Sequence, residues 1–408
     1  MAPLRLGTSY WLDARPHRRV AASERLGGLH ECDVVVIGGG MTGCAAAYFF
    51  AETGAKTILL ERNRIGRGSS AASTALLMQE PDVDFADLAD RYGFRTAHRM
   101  WAYSRASVAR MQRTLRAAGA RVHTLPSVYC ADSGAAVSRL RRELRLRHRA
   151  GLSGEWLAPE RARELAGFAA PAAILTPGNA QVDPYEACVA VARAAARRGA
   201  RLFERSPALR VAGVRLGVNV ETAHGRVSAK WAVIATGYAT PEFKPLAGHF
   251  RMMNTYVVAT PKLTQAERRA IGLGDVMLWD SARPYHYARW TPDGRLLFGG
   301  GDHPQARRAT RRALLRARTR QLWDTLVARY PILAGRAPEY AWEGLFATTS
   351  DGLPFVGRHR RYPRQLFALG YGGNGMMFGF LAARALVRIA QGKEDDGERL
   401  FGFGRLRR

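Results

Sequence analysis

The chain has 408 residues, of which 47% are hydrophobic and 24% charged, an ordinary globular composition long enough for two or three domains. Its formal net charge of +28 rests almost wholly on arginine, since the lysines are Lys56, Lys230, Lys244, Lys262 and Lys393. No apolar run approaches the ~20 residues that span a bilayer, the segment before Asp33 lacks a signal-peptide core, and Cys32, Cys44, Cys130 and Cys188 show no metal-ligand spacing. A cytoplasmic protein with reduced thiols and no metal site is therefore expected.

Residues 1–30 show no sustained period and read as an extended arm with little chemistry. The apolar run Val34-Val35-Val36-Ile37 then reads as a buried parallel strand. It leads through Gly38, Gly40 and Gly43, a GxGxxG turn, into a helix-compatible stretch from Ala45. The first glycine permits the turn, the second lets backbone approach a pyrophosphate, and the third lets helix and strand pack closely. The helix start offers unpaired N–H groups and a positive dipole end to the phosphates. A second strand, Thr57-Ile58-Leu59-Leu60, ends in Glu61, whose carboxylate accepts from a ribose diol and repels a 2′-phosphate. That favours FAD or NAD over NADP.

Beyond this unit, Gly68-Ser69-Ser70 lies in a small polar loop that either donates to phosphate or simply meets solvent. Helical patterning runs over residues 85–118 and 183–198, with a strand at residues 201–204. Two short alternating runs, 214–221 and 226–234, suggest a hairpin crossover that closes on Ala235-Thr236-Gly237. Strand-like segments dominate residues 250–298, a helix covers 321–330, and a strand at 366–369 leads through a glycine-rich turn into a last helix. Arginine is densest over 139–149 and 307–320; in the first run Val137, Leu140 and Leu144 fall at helical spacing. That run is a solvated helix face, or a surface for nucleic acid or anionic lipid.

The expected fold class is α/β: a Rossmann-like dinucleotide domain with an inserted β-rich α+β substrate domain. An NAD dehydrogenase would complete its sheet with successive βαβ units, whereas strand pairs and a late return point to a discontinuous cofactor domain. The boundaries expected are residues 31–85, 155–246 and 341–408 for that domain, and 86–154 and 247–340 for the substrate domain.

The run from Val36 to Gly43, with Glu61, Gly68-Ser69-Ser70, Ala235-Thr236-Gly237, Ser350-Asp351-Gly352-Leu353-Pro354 and Gly370-Tyr371-Gly372-Gly373-Asn374-Gly375, resembles the D-amino acid oxidase superfamily of FAD enzymes. The branches it is similar to are glycine oxidase, sarcosine oxidase and γ-glutamylputrescine oxidoreductase. The resemblance implies a glutathione-reductase-type FAD domain, with Met41 and Thr42 against the pyrophosphate, Glu61 and Arg62 at the AMP ribose, and Ser69 and Ser70 on phosphate. It places Thr74, Ala75 and Leu76 near the flavin, Ala208 at the adenine edge, and the segment Tyr371 to Met377, with Gly372, Gly373, Asn374, Gly375 and Met376, along the ring, and it counts Gly237 among the cofactor-binding residues. A helix starting near Asn374 would point N–H groups at the charge a reduced flavin accumulates.

Departures from the family pattern bear on substrate. Members that oxidise small amino acids clamp the carboxylate with arginines, and the matching positions here are Phe346 and Gly373. An apolar pocket in place of the clamp implies an amine or an amino acid held elsewhere; whether Arg251, Arg283 or Arg289 rebuilds a clamp is open. Tyr287 matches a pocket tyrosine of related amine oxidases or is a core aromatic, and on a strand Tyr285, Tyr287 and Arg289 share a face opposite His286 and Trp290. His286 reads as structural. Tyr287, Phe346 and Asn374 are the candidate catalytic residues. The flavin-linking cysteine or histidine of some members is missing around Ala347 and Gly68-Ser69-Ser70, so FAD is expected to be noncovalent. The oxygen-activating lysine of sarcosine-type oxidases is missing around Arg295-Leu296-Leu297-Phe298, which argues against fast oxidase turnover.

The activity implied is oxidation of a C–N bond by hydride transfer to flavin, followed by imine hydrolysis, with oxygen or another electron acceptor. Alternatives are a tRNA-directed FAD protein using the basic surface, and a flavin subunit passing electrons to a protein or quinone.

Overall fold

A computed structural model describes residues 4–14 and 23–405. The Val34–Ile37 run lies at the end of the strand Gly28–Ile37, which forms the middle of a parallel sheet. The parallel strands lie in the order Arg201–Phe203, Thr57–Leu60, Gly28–Ile37, Gly225–Gly237 and Tyr362–Leu369. Alternation along each strand sorts side chains to two faces. Val34, Val36, Leu59, Val233, Leu366 and Ala368 pack under the helices, and Val35, Ile37, Ile58, Leu60, Ile234 and Phe367 pack on the other side. On the first face lie the helices Met41–Glu52, Pro184–Arg197 and Gly375–Ala390. Met41–Glu52 is buried on every side except its last residue, and its small Cys44-Ala45-Ala46-Ala47 run permits that close packing.

The strand Gly225–Gly237 forks. Its first half pairs with an antiparallel meander, Arg210–Val214 and Gly217–Glu221, and its second half pairs in parallel with Tyr362–Leu369. The expected crossover is present, but the run 214–221 straddles a turn: Val214 closes one strand and Gly217 opens the next. This is the doubly layered, Rossmann-like arrangement anticipated from the sequence, with the final strand returning to the sheet.

A second, nine-stranded sheet carries the strands Arg251–Ala259, Leu296–Pro304, His286–Trp290 and Met277–Asp280 at its centre. Glu155–Leu157 and Ala173–Thr176 lie at one end and Tyr340–Thr348 near the other, so these parts of residues 155–246 and 341–408 run with the larger sheet. The helix Arg311–Arg329 packs on it through Leu322, Trp323 and Leu326 and starts ten residues before the helix expected at 321, inside the arginine run. Among the described residues no helix is long and apolar enough to cross a membrane.

Three local expectations need correction. The N-terminal segment is not a free arm: Arg5–Gly7 pairs antiparallel with Tyr340–Thr348, the short helix Tyr10–Asp13 buries Tyr10 and Trp11, and residues 28–30 already belong to the first parallel strand. Residues 1–3 and 15–22 of that arm lie outside the described residues. The long helix over 85–118 is two, Phe85–Tyr92 and Phe94–Ala117, broken at Gly93 with φ +81°. The arginine-rich helix Gly134–Arg149 has the expected amphipathic form, but Glu143 and Arg147 are buried, joined to each other at 2.7 Å and capping the N–H groups of Phe85 and Ala86 through Glu143.

Candidate cofactor and substrate site

One cavity of about 1090 Å³ runs between the two sheets. It starts at the GxGxxG turn, where the Gly38 N–H donates to Leu60 O at 2.9 Å and φ is +109°. A Cβ at Gly38 would lie 2.6 Å from the Ala235 carbonyl oxygen. A Cβ at Gly43 would overlap the Gly38 carbonyl, so the third glycine has the packing role that the motif demands and does not line the cavity. Gly38, Gly40, Met41 and Thr42 do line it.

Glu61 braces this turn. Its Oε2 accepts from the Gly39 N–H at 2.7 Å and its Oε1 from the Asn63 N–H at 2.8 Å, leaving second lone pairs on both oxygens toward the cavity it lines. Burial raises its pKa, and the two N–H bonds oppose that shift. Arg62 and Ala208 line the same end.

The loop over residues 69–76 forms the next part of the wall, and its backbone carbonyls are held from outside the sheet contacts. Ser9 Oγ donates to Ala71 O at 2.6 Å, Trp342 Nε1 to Ala72 O at 2.9 Å, Trp11 Nε1 to Ser73 O at 2.9 Å, and Arg289 to Thr74 O at 2.8 Å. Ser70 Oγ accepts from the Met41 N–H at 3.0 Å, which ties the loop to the helix start. Ser69 Oγ instead donates to Leu345 O at 2.6 Å, so its proton is spent on the protein. Thr74 and Leu76 line the cavity; Ala75, at φ +55°, is buried behind them. Arg289 is thus a brace for this loop, its pKa pulled down to about 9 by burial, and Arg251 is exposed away from the cavity.

Further along stand Tyr371, Gly372, Gly373, Asn374, Gly375 and Met376, together with Tyr287 and Phe346; Gly237 also lines the cavity and accepts from the Gly370 N–H at 3.0 Å. The helix Gly375–Ala390 does begin here, but two of the N–H groups just before it are already engaged: Asn374 N–H donates to Asp82 Oδ2 at 2.8 Å, and Gly373 N–H bonds the same carboxylate. The Asn374 amide nitrogen donates to Met78 O at 3.1 Å and Glu80 O at 2.8 Å, which makes it a fastener of the 78–80 segment. Tyr287 reaches Thr255 Oγ1 at 3.1 Å, and His286 turns away to Asp280 at 2.9 Å and stacks on Phe298.

The expected apolar pocket is not what the fold builds. Phe346 and Trp279 line it, but so do Asp82, Asp302, Arg283, Tyr285 and Glu80. These came from loops and strands with no shared motif. A signal was present: Glu80, Asp82 and Asp84 put three carboxylates in five residues of a chain otherwise dominated by arginine. Burial pushes Asp82 and Asp302 each up to about 6. Asp302 adds to the rise at Asp82, while the Gly373 and Asn374 N–H groups and Arg283 oppose it. Burial raises Tyr285 and Tyr287 well above the ordinary tyrosine range, with the two carboxylates adding to it.

The cavity is about 1090 Å³ in volume and is lined by the glycine turn and by the Glu61 carboxylate. The family model described as FAD-dependent oxidoreductase matches residues 33–389. The chain belongs to this family. Like other FAD-dependent oxidoreductases of its kind, it is similar over most of its length to characterised relatives. It is 27% identical over 380 residues to γ-glutamylputrescine oxidoreductase of Escherichia coli K12, covering 92% of this chain and 86% of that one. It is 24% identical over 385 residues to glycine oxidase of Bacillus subtilis 168, covering 91% and 96%. The crystal structure of glycine oxidase from Geobacillus kaustophilus superposes with a TM-score of 0.77 at 21% identity, over 92% of this chain and 99% of that one. That of L-proline dehydrogenase from P. horikoshii gives 0.77 at 19%, over 94% and 99%. FAD is therefore the cofactor of this oxidoreductase.

Proposed function

We propose that this FAD-dependent oxidoreductase oxidises a C–N bond of an amine or amino-acid-like substrate at the end of the cavity formed by Tyr285, Tyr287, Phe346 and Trp279. Bound noncovalently, FAD would accept hydride from the substrate α-carbon, leaving an imine that hydrolyses in water. The observation that carries the reading is the position of Phe346 and Gly373. Both line the cavity, at positions that the sequence resemblance matches to the carboxylate-clamping arginines of small-amino-acid oxidases, and Phe346 offers hydrocarbon instead of guanidinium. The names of the relatives, an oxidoreductase of γ-glutamylputrescine and oxidases of glycine, fit the same bond type.

The residues needed for such a reaction are those that orient and desolvate. Residues 38–42, Glu61 and Ser70 would hold the adenosine and pyrophosphate, with Thr74, Leu76 and residues 372–376 against the ring. The Tyr287 and Thr255 hydroxyls form a polar edge beside Phe346, so one face of the substrate is placed by hydrogen bonding and the other by contact. Anaerobic mixing of the FAD-loaded protein with a panel of amines and amino acids tests the proposal: loss of the oxidised flavin absorbance is expected with amines, and no bleaching by any of them refutes it. Reoxidation with oxygen compared with artificial acceptors then separates oxidase from dehydrogenase.

A further inference from the structure

The substrate end of the cavity carries acceptors that the protein leaves without donors. Asp302 Oδ1 is buried and has no hydrogen-bond partner, and so is Oδ1 of Asn374, a residue only 5% exposed on the same wall. The Thr255 hydroxyl bonds the Asp302 carboxylate, and Asp82, on the same cavity wall, stands close enough for the Asp302 charge to raise its pKa. Two carboxylates and an unmatched amide oxygen in one enclosed chamber are costly unless a ligand supplies N–H donors and positive charge.

An ammonium group supplies both, with three donors and one charge. A carboxylate ligand would supply neither and would meet two like charges. The aromatic lining agrees, because Tyr285, Tyr287 and Trp279 border the chamber with rings of a kind that attracts cations, and Trp279 is fixed by stacking on Tyr129 at 3.6 Å. Arg283 also lines the chamber and partly offsets the Asp82 charge, but its own bonds run to Ala282 O at 3.1 Å and to Tyr129, with the Asp84 charge beside it, so one cation already shared with other groups faces two carboxylates.

Resting on the reading of this site as one that oxidises C–N bonds, we propose that Asp302 and Asp82 form an ammonium-binding subsite that selects cationic amines over carboxylate-bearing substrates. The charged and titratable groups around the pair are Arg283, whose charge bears on Asp82, His286, whose charge bears on Asp302, Glu80 on the same cavity wall, and Tyr285 and Tyr287, which both carboxylates affect. Because burial holds the two carboxyls near 6, the subsite is fully charged only above that pH, and a cation binds in competition with protons.

The probes are n-butylammonium and butyrate, which share a chain and differ in charge. Binding is read on FAD-loaded protein by the visible flavin spectrum and on apoprotein by tryptophan fluorescence. We expect butylammonium to bind at pH 8, at least tenfold more tightly than butyrate, and to weaken at least tenfold by pH 5. Asp302→Asn and Asp82→Asn, with FAD retention confirming their folding, should each weaken it at least tenfold at pH 8. Equal or tighter binding of butyrate, or unchanged butylammonium affinity in both variants, overturns the proposal. The two readings fail separately: cation binding that needs Asp302 with no flavin bleaching by any amine rejects the oxidation but keeps the subsite, whereas bleaching by amines with indifferent Asp variants does the reverse.

Discussion

Replacing Asp302 by Asn tests the burial of that carboxyl through protein stability alone, without any assumption about substrate. Its pKa rises from 3.8 to about 6, with burial as the largest cause and the Thr255 hydrogen bond and His286 opposing it. A carboxyl raised on folding contributes stability that is fully present below its unfolded value of 3.8 and is lost as pH rises through about 6. At 1.36 kcal/mol per unit, the shift corresponds to a loss of about 3 kcal/mol between pH 4 and pH 8. An asparagine keeps the shape and an oxygen for Thr255 to donate to, and it has no charge to desolvate. The stability difference between Asp302→Asn and wild type should therefore move by about 3 kcal/mol in favour of the variant between those pH values. Urea unfolding of both apoproteins across pH 4–8, compared pair by pair, cancels the titration of all other groups except those coupled to Asp302. Adding Asp82→Asn in a double-mutant cycle isolates that coupling. A difference that stays flat with pH, or that moves in favour of wild type at pH 8, would refute the burial argument.

The same geometry makes further demands. Gly43→Ala puts a Cβ onto the Gly38 carbonyl, so FAD affinity should fall at least tenfold and stability by about 1–3 kcal/mol, read by flavin fluorescence titration and thermal unfolding; Gly54→Ala, at a site with no atom within 4 Å, should leave affinity unchanged. Glu61→Gln places an NH₂ where one of two backbone N–H donors now bonds a carboxylate, and FAD binding should weaken by about 1–3 kcal/mol in the same titration. Burial would raise Asp351, but Arg405, Tyr92 and Thr349 outweigh it and bring the pKa to about 2. The resulting stabilisation of about 2 kcal/mol is present above 3.8 and lost as pH falls through about 2, so Arg405→Met should lower stability at pH 7 and flatten its fall in acid.

The parts of this molecule legible in the sequence were those where a local pattern carries the whole meaning. The turn at Gly38, Gly40 and Gly43 with its flanking apolar runs, the acidic end of the second strand, and the glycine-rich start of the last helix each need only neighbours a few positions away. Arg5–Gly7 was missed because a three-residue strand has no period to detect and exists only through pairing with Tyr340–Thr348. Gly93 breaks a helix by its left-handed backbone in the middle of an otherwise helical pattern. The acidic run at Glu80, Asp82 and Asp84 was visible, but its pairing with Asp302 was not. Asp82 and Asp302 are 220 positions apart, and only the closing of the two sheets on one another brings them together. Arg289 was equally ambiguous, since a guanidinium that clamps a substrate and one that holds loop carbonyls look alike in a string of letters.

The pairing of Arg5–Gly7 with Trp342–Gly344 sets an order on biosynthesis. When this segment emerges from the ribosome its partner does not yet exist, and more than three hundred further residues must be made before the two can zip together. Leu4 and Arg5 also line the cavity, so one of its walls is installed only after residues 342–344 have been made. Until then the outer edge of the nine-stranded sheet stays bare, open to a strand from another nascent copy.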